Sequence, residues 1–98
     1  MKLLYQELTG SILDCAFKVH SNLGPGLLES AYEECLHYEL MKIGVTAIKQ
    51  KPMPLVYEDN HLDLGYRVDL FVEGKIIIEV KSVEALNPVH FAQLMTYL

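Results

Sequence analysis

The chain has no tryptophan, two cysteines, and only eight Lys and Arg against thirteen Asp and Glu in 98 residues. Each shortage removes a class of protein. Cys15 and Cys35 lie in separate helical patterns without C-x-x-C spacing, which excludes a disulfide framework. They read as small buried apolar residues in a reduced cytoplasm. His20, His37, His61 and His90 show no paired spacing of the kind zinc sites use. The net charge of −5 and the absence of a Lys/Arg cluster exclude nucleic-acid binding through a broad basic surface. Any nucleic-acid role then needs a local site, with a metal ion screening its carboxylates. No apolar run reaches the length of a membrane-spanning helix, because Glu, Lys and His interrupt all of them. The first residues turn polar too soon for a secretory signal. There is no internal repeat, low-complexity segment or linker. The expectation is one cytoplasmic domain over residues 1–98, with no membrane partner.

What is present is an apolar chain, 51% hydrophobic, with legible periodicity. Residues 3–22 carry Leu8, Ile12, Ala16, Val19 and Leu23 at helical steps, with Leu4, Leu13 and Phe17 widening the stripe. Gly24-Pro25-Gly26 stops that helix. A second helix is predicted over about 27–42, with Leu28, Ala31, Tyr32, Cys35, Leu36 and Leu40 on its apolar side and Gly44 ending it. Strand character then takes over at 45–51 and 55–57, with turn composition at 58–61. After a hairpin at 66–81, Asn87-Pro88 has the composition of a helix start. A last helix is predicted over 88–98, with Val89, Ala92, Leu94, Met95 and Leu98 apolar. A strand returning beside 76–81 would be the natural next element. Its absence suggests a truncated chain, or one that completes its sheet in a homodimer.

The hairpin is the informative stretch. Val68, Leu70 and Val72 share one strand face, and Ile76, Ile78 and Val80 share another. Paired residues in an antiparallel ladder lie on the same side of the sheet, so even must pair with even, as in 70 opposite 78. That register places Asp69 opposite Glu79 on the other side, with Lys81 two residues further along. It also requires an odd loop, Glu73-Gly74-Lys75, or a bulge. Two converging carboxylates suit a hard divalent cation: their oxygens, with the Val80 carbonyl, would hold Mg²⁺ and its waters. Such a metal would polarise a phosphoryl oxygen and activate a water, and Lys81 would orient that water or offset developing charge. The alternative from spacing alone is a salt-bridged cross-strand cluster on a solvated face.

The D-(x9)-E-x-K pattern, following a helix that bears a Glu, resembles the PD-(D/E)XK phosphodiesterase superfamily. Gly26-Leu27-Leu28-Glu29-Ser30-Ala31-Tyr32 resembles the signature of the small bacterial GxxExxY proteins in that superfamily. Similarity extends to Val19-His20-Ser21-Asn22-Leu23-Gly24-Pro25, to Gly65-Tyr66-Arg67-Val68-Asp69-Leu70, to Glu79-Val80-Lys81-Ser82-Val83 and to Gln93-Leu94-Met95-Thr96-Tyr97-Leu98. The resemblance implies an α/β (α+β) fold: a small mixed β-sheet with a central hairpin flanked by helices, a restriction-endonuclease-like core here lacking a final strand. It implies Mg²⁺- or Mn²⁺-dependent cleavage of nucleic-acid phosphodiesters. By position, Asp69 and Glu79 resemble the metal ligands, Lys81 the catalytic lysine, and Glu29 the helix-borne acid that completes the metal site. Gln93 and Tyr97 resemble the Q-x-x-x-Y motif of RecB-like nucleases, which contacts substrate or orients the site.

Each of these residues also has a plain structural reading. Glu29 falls in the first turn of its helix, where the macrodipole favours an anion. Tyr32 suits the core, with its hydroxyl satisfied by a nearby polar group. His20 is a site residue, a helix C-cap partner or a packed ring. Gln93 on a helix is ordinarily solvated. Arg67 shares the Asp69 side and pairs with a carboxylate or a phosphate, and Gly26 answers a backbone requirement. Two further readings stand beside the nuclease: a silent nuclease-fold binding or regulatory module, and a structural dimer.

Overall fold

A computed structural model of the chain describes residues 5–62, 67–81 and 92–96. Helix α1 (Gln6–Leu23) and helix α2 (Glu29–Lys42) come first. Six strands follow: β1 (Ala47–Pro52), β2 (Leu55–Tyr57), β3 (Asn60–Leu62), β4 (Arg67–Val72), β5 (Ile76–Val80) and β6 (Ala92–Thr96). Four strands form one sheet in the order β1-β4-β5-β6, and β2 and β3 form a separate hairpin. The architecture is α+β. Every pairing among the described strands is antiparallel, so the mixed sheet expected is an antiparallel one here.

The helices end where the chain cannot continue them. Gly24, at φ +71°, donates its N–H to the His20 carbonyl and closes α1. A left-handed cap of this kind is open to glycine without penalty. Gly26, at φ +93°, sits in the same connection, which is the backbone requirement expected of it. Tyr32 then locks the connection from below. Its ring is buried, its hydroxyl donates to the Gly24 carbonyl at 2.6 Å and accepts from the Leu27 N–H at 3.1 Å. The glycine-rich loop and the tyrosine one turn into α2 are thus one hydrogen-bonded unit.

The core lies between the helices and one side of the sheet. α1 contributes Ile12, Cys15, Ala16 and Val19, and α2 contributes Tyr32, Leu36 and Leu40. The sheet contributes Ala47 from β1, Leu70 and Val72 from β4, and Ile76, Ile78 and Val80 from β5. The α1 stripe is narrower than its composition suggests: Leu13 is 38% exposed and Phe17 45%. Both project past the strip that α2 and the sheet cover, and Cys15 takes the inward position. Leu28, the N-cap of α2, is 78% exposed for the same reason, lying ahead of the packed turns. Cys35 is only half-buried, and both cysteines are free thiols.

The hairpin register is as the alternation requires. Leu70 pairs with Ile78, Phe71 with Ile77 and Val72 with Ile76. The loop between them is the odd one, Glu73-Gly74-Lys75. Glu73 and Gly74 have φ of +54° and +65°, and the Lys75 N–H donates to the Val72 carbonyl at 2.9 Å. Positive φ at both central residues matches the right-handed twist of the flanking strands. The even residues are buried and the odd ones half-buried, except Arg67, which is exposed.

The last helix is a correction. The described part of the segment expected to be helical over 88–98 is strand β6, and Asn87, Pro88 and Tyr97 lie outside the described residues. β6 pairs with β5 from Ile76↔Thr96 to Val80↔Ala92. The outer edge of β5 carries N–H and C=O groups that need partners, and satisfying them outweighs a weak local helix preference. β6 therefore lies beside β5 in the sheet.

The Tyr32 lock is testable. Tyr32→Phe removes a hydroxyl that satisfies two backbone groups across the α1–α2 connection. It is expected to lower stability by about 1–2 kcal/mol, read from urea unfolding, with the helix content in circular dichroism unchanged.

Candidate active site

Away from the helices, the sheet presents its odd-numbered residues from β4 and β5. The pairings arrange them in rows that cross the strands. One row is apolar: Ile48, Phe71, Ile77 and Met95 occupy aligned positions. The next row is polar. Glu79 is the Cα partner of Gln93, and continuing the β4–β5 register by one residue sets Asp69 opposite Glu79. Lys49↔Leu70 and Lys51↔Val68 bracket the place where Gln50 faces Asp69. Arg67 opens β4, and Lys81 directly follows the end of β5.

At Asp69 the backbone ladder gives way to a side chain. The Val80 N–H donates to Asp69 Oδ2 at 2.7 Å. A charged acceptor makes this a stronger bond than an amide–carbonyl pair, and it fixes the carboxylate beside the residue that follows Glu79. The Glu79 side chain is half-buried, with Oε1 shut off from solvent. Lys81 is exposed at the end of β5. The two carboxylates thus share one side of the sheet, as the alternation requires.

The other half of the site comes from β1 and α2. Gln50 has φ of +52° in the middle of a strand, and the β1–β4 pairing skips it. A left-handed backbone at a non-glycine residue costs roughly 1–3 kcal/mol and persists only where its surroundings enforce it. Gln50 Nε2 donates to Glu33 Oε1 at 2.7 Å and, more weakly, to Asp69 Oδ1 at 3.4 Å. The Arg67 guanidinium donates to the Gln50 carbonyl at 3.4 Å. Glu33 is itself half-buried. Its burial pushes the carboxyl above the ordinary value of 4.5, and the Asp69 charge adds to the rise, while the Gln50 hydrogen bond opposes it. Next to it, Glu34 pairs with Lys49 at 2.8 Å, and His37 Nε2 lies 2.9 Å from the Ala47 carbonyl. These contacts pin α2 along β1 and bring Glu33 to the site.

The expected site residues divide accordingly. Asp69, Glu79, Lys81 and Arg67 lie on adjoining positions of the central hairpin, and Gln93 joins them by register in β6, a strand position in place of a helical one. Glu29 opens α2 and is exposed. Among the described residues no three His, Cys, Asp or Glu side chains are already grouped as a metal site. The acid that reaches Asp69 from α2 is Glu33, one helical turn on. His20 lies in the last turn of α1, and its carbonyl accepts from the Gly24 N–H. Tyr97 lies outside the described residues. Glu33 and Gln50 were not singled out in the sequence. Only the position of Gln50, opposite Asp69 once β1 is paired with β4, could have marked it.

The donor set still suits one kind of metal. Asp69 and Glu79 offer hard oxygen atoms on one side of the sheet. Mg²⁺ is commonly held by one or two carboxylates, with waters and substrate phosphates completing its octahedron. Softer ions that favour imidazole or thiolate find no such ligands among these residues.

An α+β sheet whose central hairpin ends in Glu79-x-Lys81, with Asp69 opposite, defines a nuclease-type fold of the PD-(D/E)XK class. The family comparison agrees: a model described as the PD-(D/E)XK nuclease superfamily matches residues 6–98, and the chain belongs to that superfamily. No curated protein and no solved structure matches the chain.

The raised Glu33 carboxyl carries a prediction with a definite sign. A carboxyl whose folded value lies above 4.5 contributes most below that value, and the contribution is lost as pH rises through the folded value. Glu33→Gln, which keeps an oxygen to accept from Gln50, is therefore expected to unfold in urea at or above the wild-type midpoint at pH 7. Its advantage is expected to vanish below about pH 4.5.

Proposed function

We propose that this chain is a metal-dependent nuclease, a phosphodiester hydrolase acting on nucleic acid, of the GxxExxY branch of its superfamily. The observation that carries the reading is the register of the central hairpin, whose alternation keeps Asp69 and Glu79 on one side of the sheet, with Lys81 following β5. Superfamily membership and the Gly26-x-x-Glu29-x-x-Tyr32 signature support it. Asp69 and Glu79 would hold a Mg²⁺ or Mn²⁺ ion, which when bound polarises a phosphoryl oxygen and lowers the pKa of its water.

The chain's own residues supply the rest. The Val80 N–H holds Asp69 in one orientation and leaves little reorganisation to be done on binding. Lys81 brings a mobile ammonium to the end of β5, where it offsets charge developing on the phosphate and orients the attacking water. Arg67 offers a fork of N–H donors suited to a phosphate. Gln93 lies beside Glu79 in register and orients substrate or the carboxylate. Glu29, at the start of α2, is the acid that the family pattern would have complete the metal site.

A second reading, a silent nuclease-fold binding module, is favoured by the net charge of −5 and by the absence, among the described residues, of a third ligand beside Asp69 and Glu79. Titration of Mn²⁺ followed by cleavage of single- and double-stranded DNA and RNA separates the two. The nuclease reading expects one Mn²⁺ site. Asp69→Asn and Glu79→Gln should each weaken it by at least about tenfold. Lys81→Ala should leave Mn²⁺ affinity nearly unchanged and slow cleavage by about 10²–10³. Binding without cleavage of any substrate would favour the silent module. Wild-type cleavage that survives Asp69→Asn and Lys81→Ala would reject the assignment of the site.

A further inference from the structure

Gln50 is the one residue of the site whose backbone is strained, and nothing in the proposed chemistry uses it. Its φ of +52° takes it out of the ladder at the position facing Asp69. Its amide touches two carboxylates from different elements, Glu33 of α2 at 2.7 Å and Asp69 of β4 at 3.4 Å. Its carbonyl, turned out of the ladder, accepts from Arg67 at 3.4 Å. An extended residue here would pair with β4 through its backbone. The left-handed one trades that pairing for a side-chain bridge. Strain of this kind survives where neighbouring contacts over-determine it, and here those contacts all belong to the acidic site.

We propose that Gln50 is a positioning residue of this site. Its side-chain amide, set by a left-handed backbone at the sheet edge, holds the Asp69 carboxylate against the Val80 N–H and ties it to α2 through Glu33. The inference rests on the proposed role of Asp69 as a metal ligand. Groups that orient a ligand from behind are commonly worth tenfold or more in metal affinity. The amide is neutral, so it links two carboxylates without the charge that Lys or Arg would bring beside the cation. The Glu33 bond, the shorter of the two, anchors the amide, and the Asp69 bond is what the anchoring serves. Arg67 is held by the same residue, so the phosphate-facing and metal-facing halves of the site share one support.

The test uses Gln50→Gly and Gln50→Glu in the full chain. Glycine tolerates the left-handed backbone, so Gln50→Gly removes the bridge and relieves the strain together. The metal-free readout is the Val80 amide, observed by NMR through its chemical shift and hydrogen exchange. In both variants it should shift upfield and exchange at least about tenfold faster, while the melting temperature of Gln50→Gly stays at or above wild type. Mn²⁺ affinity should fall by about tenfold in Gln50→Gly. An unchanged Val80 amide in both overturns the proposal. So does a Val80 change in Gln50→Gly accompanied by a lower melting temperature, the mark of a purely structural residue. If wild type binds Mn²⁺, Asp69→Asn abolishes it and Gln50→Gly binds as wild type, the positioning role fails and the metal site stands. If wild type binds none, the metal reading fails, and the Val80 amide still decides whether Gln50 orients Asp69.

Discussion

The pairing of Leu70 with Ile78 decides where everything else goes. A strand alternates sides with every residue, so a slip of one would send Asp69 and Glu79 to opposite faces of the sheet. The odd loop prevents the slip. Its turn residue Glu73 also reaches beyond the hairpin: the Glu73 N–H donates to the Thr46 carbonyl at 2.9 Å, and Glu73 Oε1 accepts from the Thr46 N–H at 3.1 Å. Thr46 immediately precedes β1. One turn therefore aligns β5 on one side of β4 and β1 on the other. It is the reason Gln50 comes opposite Asp69 in one direction and Glu79 in the other. Buried even residues then lock the choice, since reversing it would put Leu70 and Ile78 in water and two carboxylates against the helices.

The sequence exposed this part of the molecule because its determinants are local. Hydrophobic alternation over 68–80, the three residues of the loop and the Gly24-Pro25-Gly26 stop all act within a few positions. The core role of Tyr32 was legible for a similar reason: an aromatic at a helical apolar position with a polar tip needs a partner nearby. Leu13 and Phe17 were less readable. An apolar residue at the margin of a helix stripe is inside or outside according to the width of the neighbouring element, which periodicity does not contain. The segment around Gln93 shows the limit more sharply. Ala92, Leu94 and Thr96 are the register partners of Val80, Ile78 and Ile76, yet the same residues also suit a helical stripe, and only the edge of β5 decides between them.

Glu33 and Gln50 belong to a third category, where local rules point away from the outcome. A Gln in a strand carries no signal for φ of +52°, and a Glu one turn from Glu29 looks like solvated surface. Their importance comes from three elements meeting: α2 pinned along β1 by the Lys49–Glu34 pair, β1 aligned by Thr46, and β4 bringing Asp69 to the same place. Places where local preference fails are commonly strained or functional, and here the failure coincides with the acidic residues that the family pattern marks. Removing half-buried Glu33 from water and setting it near Asp69 both oppose ionisation. The Gln50 amide, with the Lys49 charge, offsets part of that cost.

That absence of positive charge bears on how an acidic chain meets a polyanion. Counterion release scales with the phosphates neutralised by Lys and Arg, and a chain of net charge −5 offers little of it. Attraction over tens of ångströms is unavailable, since screening limits exposed charges to about 10 Å. Any phosphate recognition has to be made at contact distance. Two cationic residues lie near the carboxylates for it, Arg67 at the start of β4 and Lys81 just past the end of β5. A cation between the carboxylates would change the sign of the local potential where a phosphodiester has to sit. Under the proposed nuclease function a metal would then be needed first for binding and only then for chemistry, and affinity for nucleic acid would be as metal-dependent as cleavage.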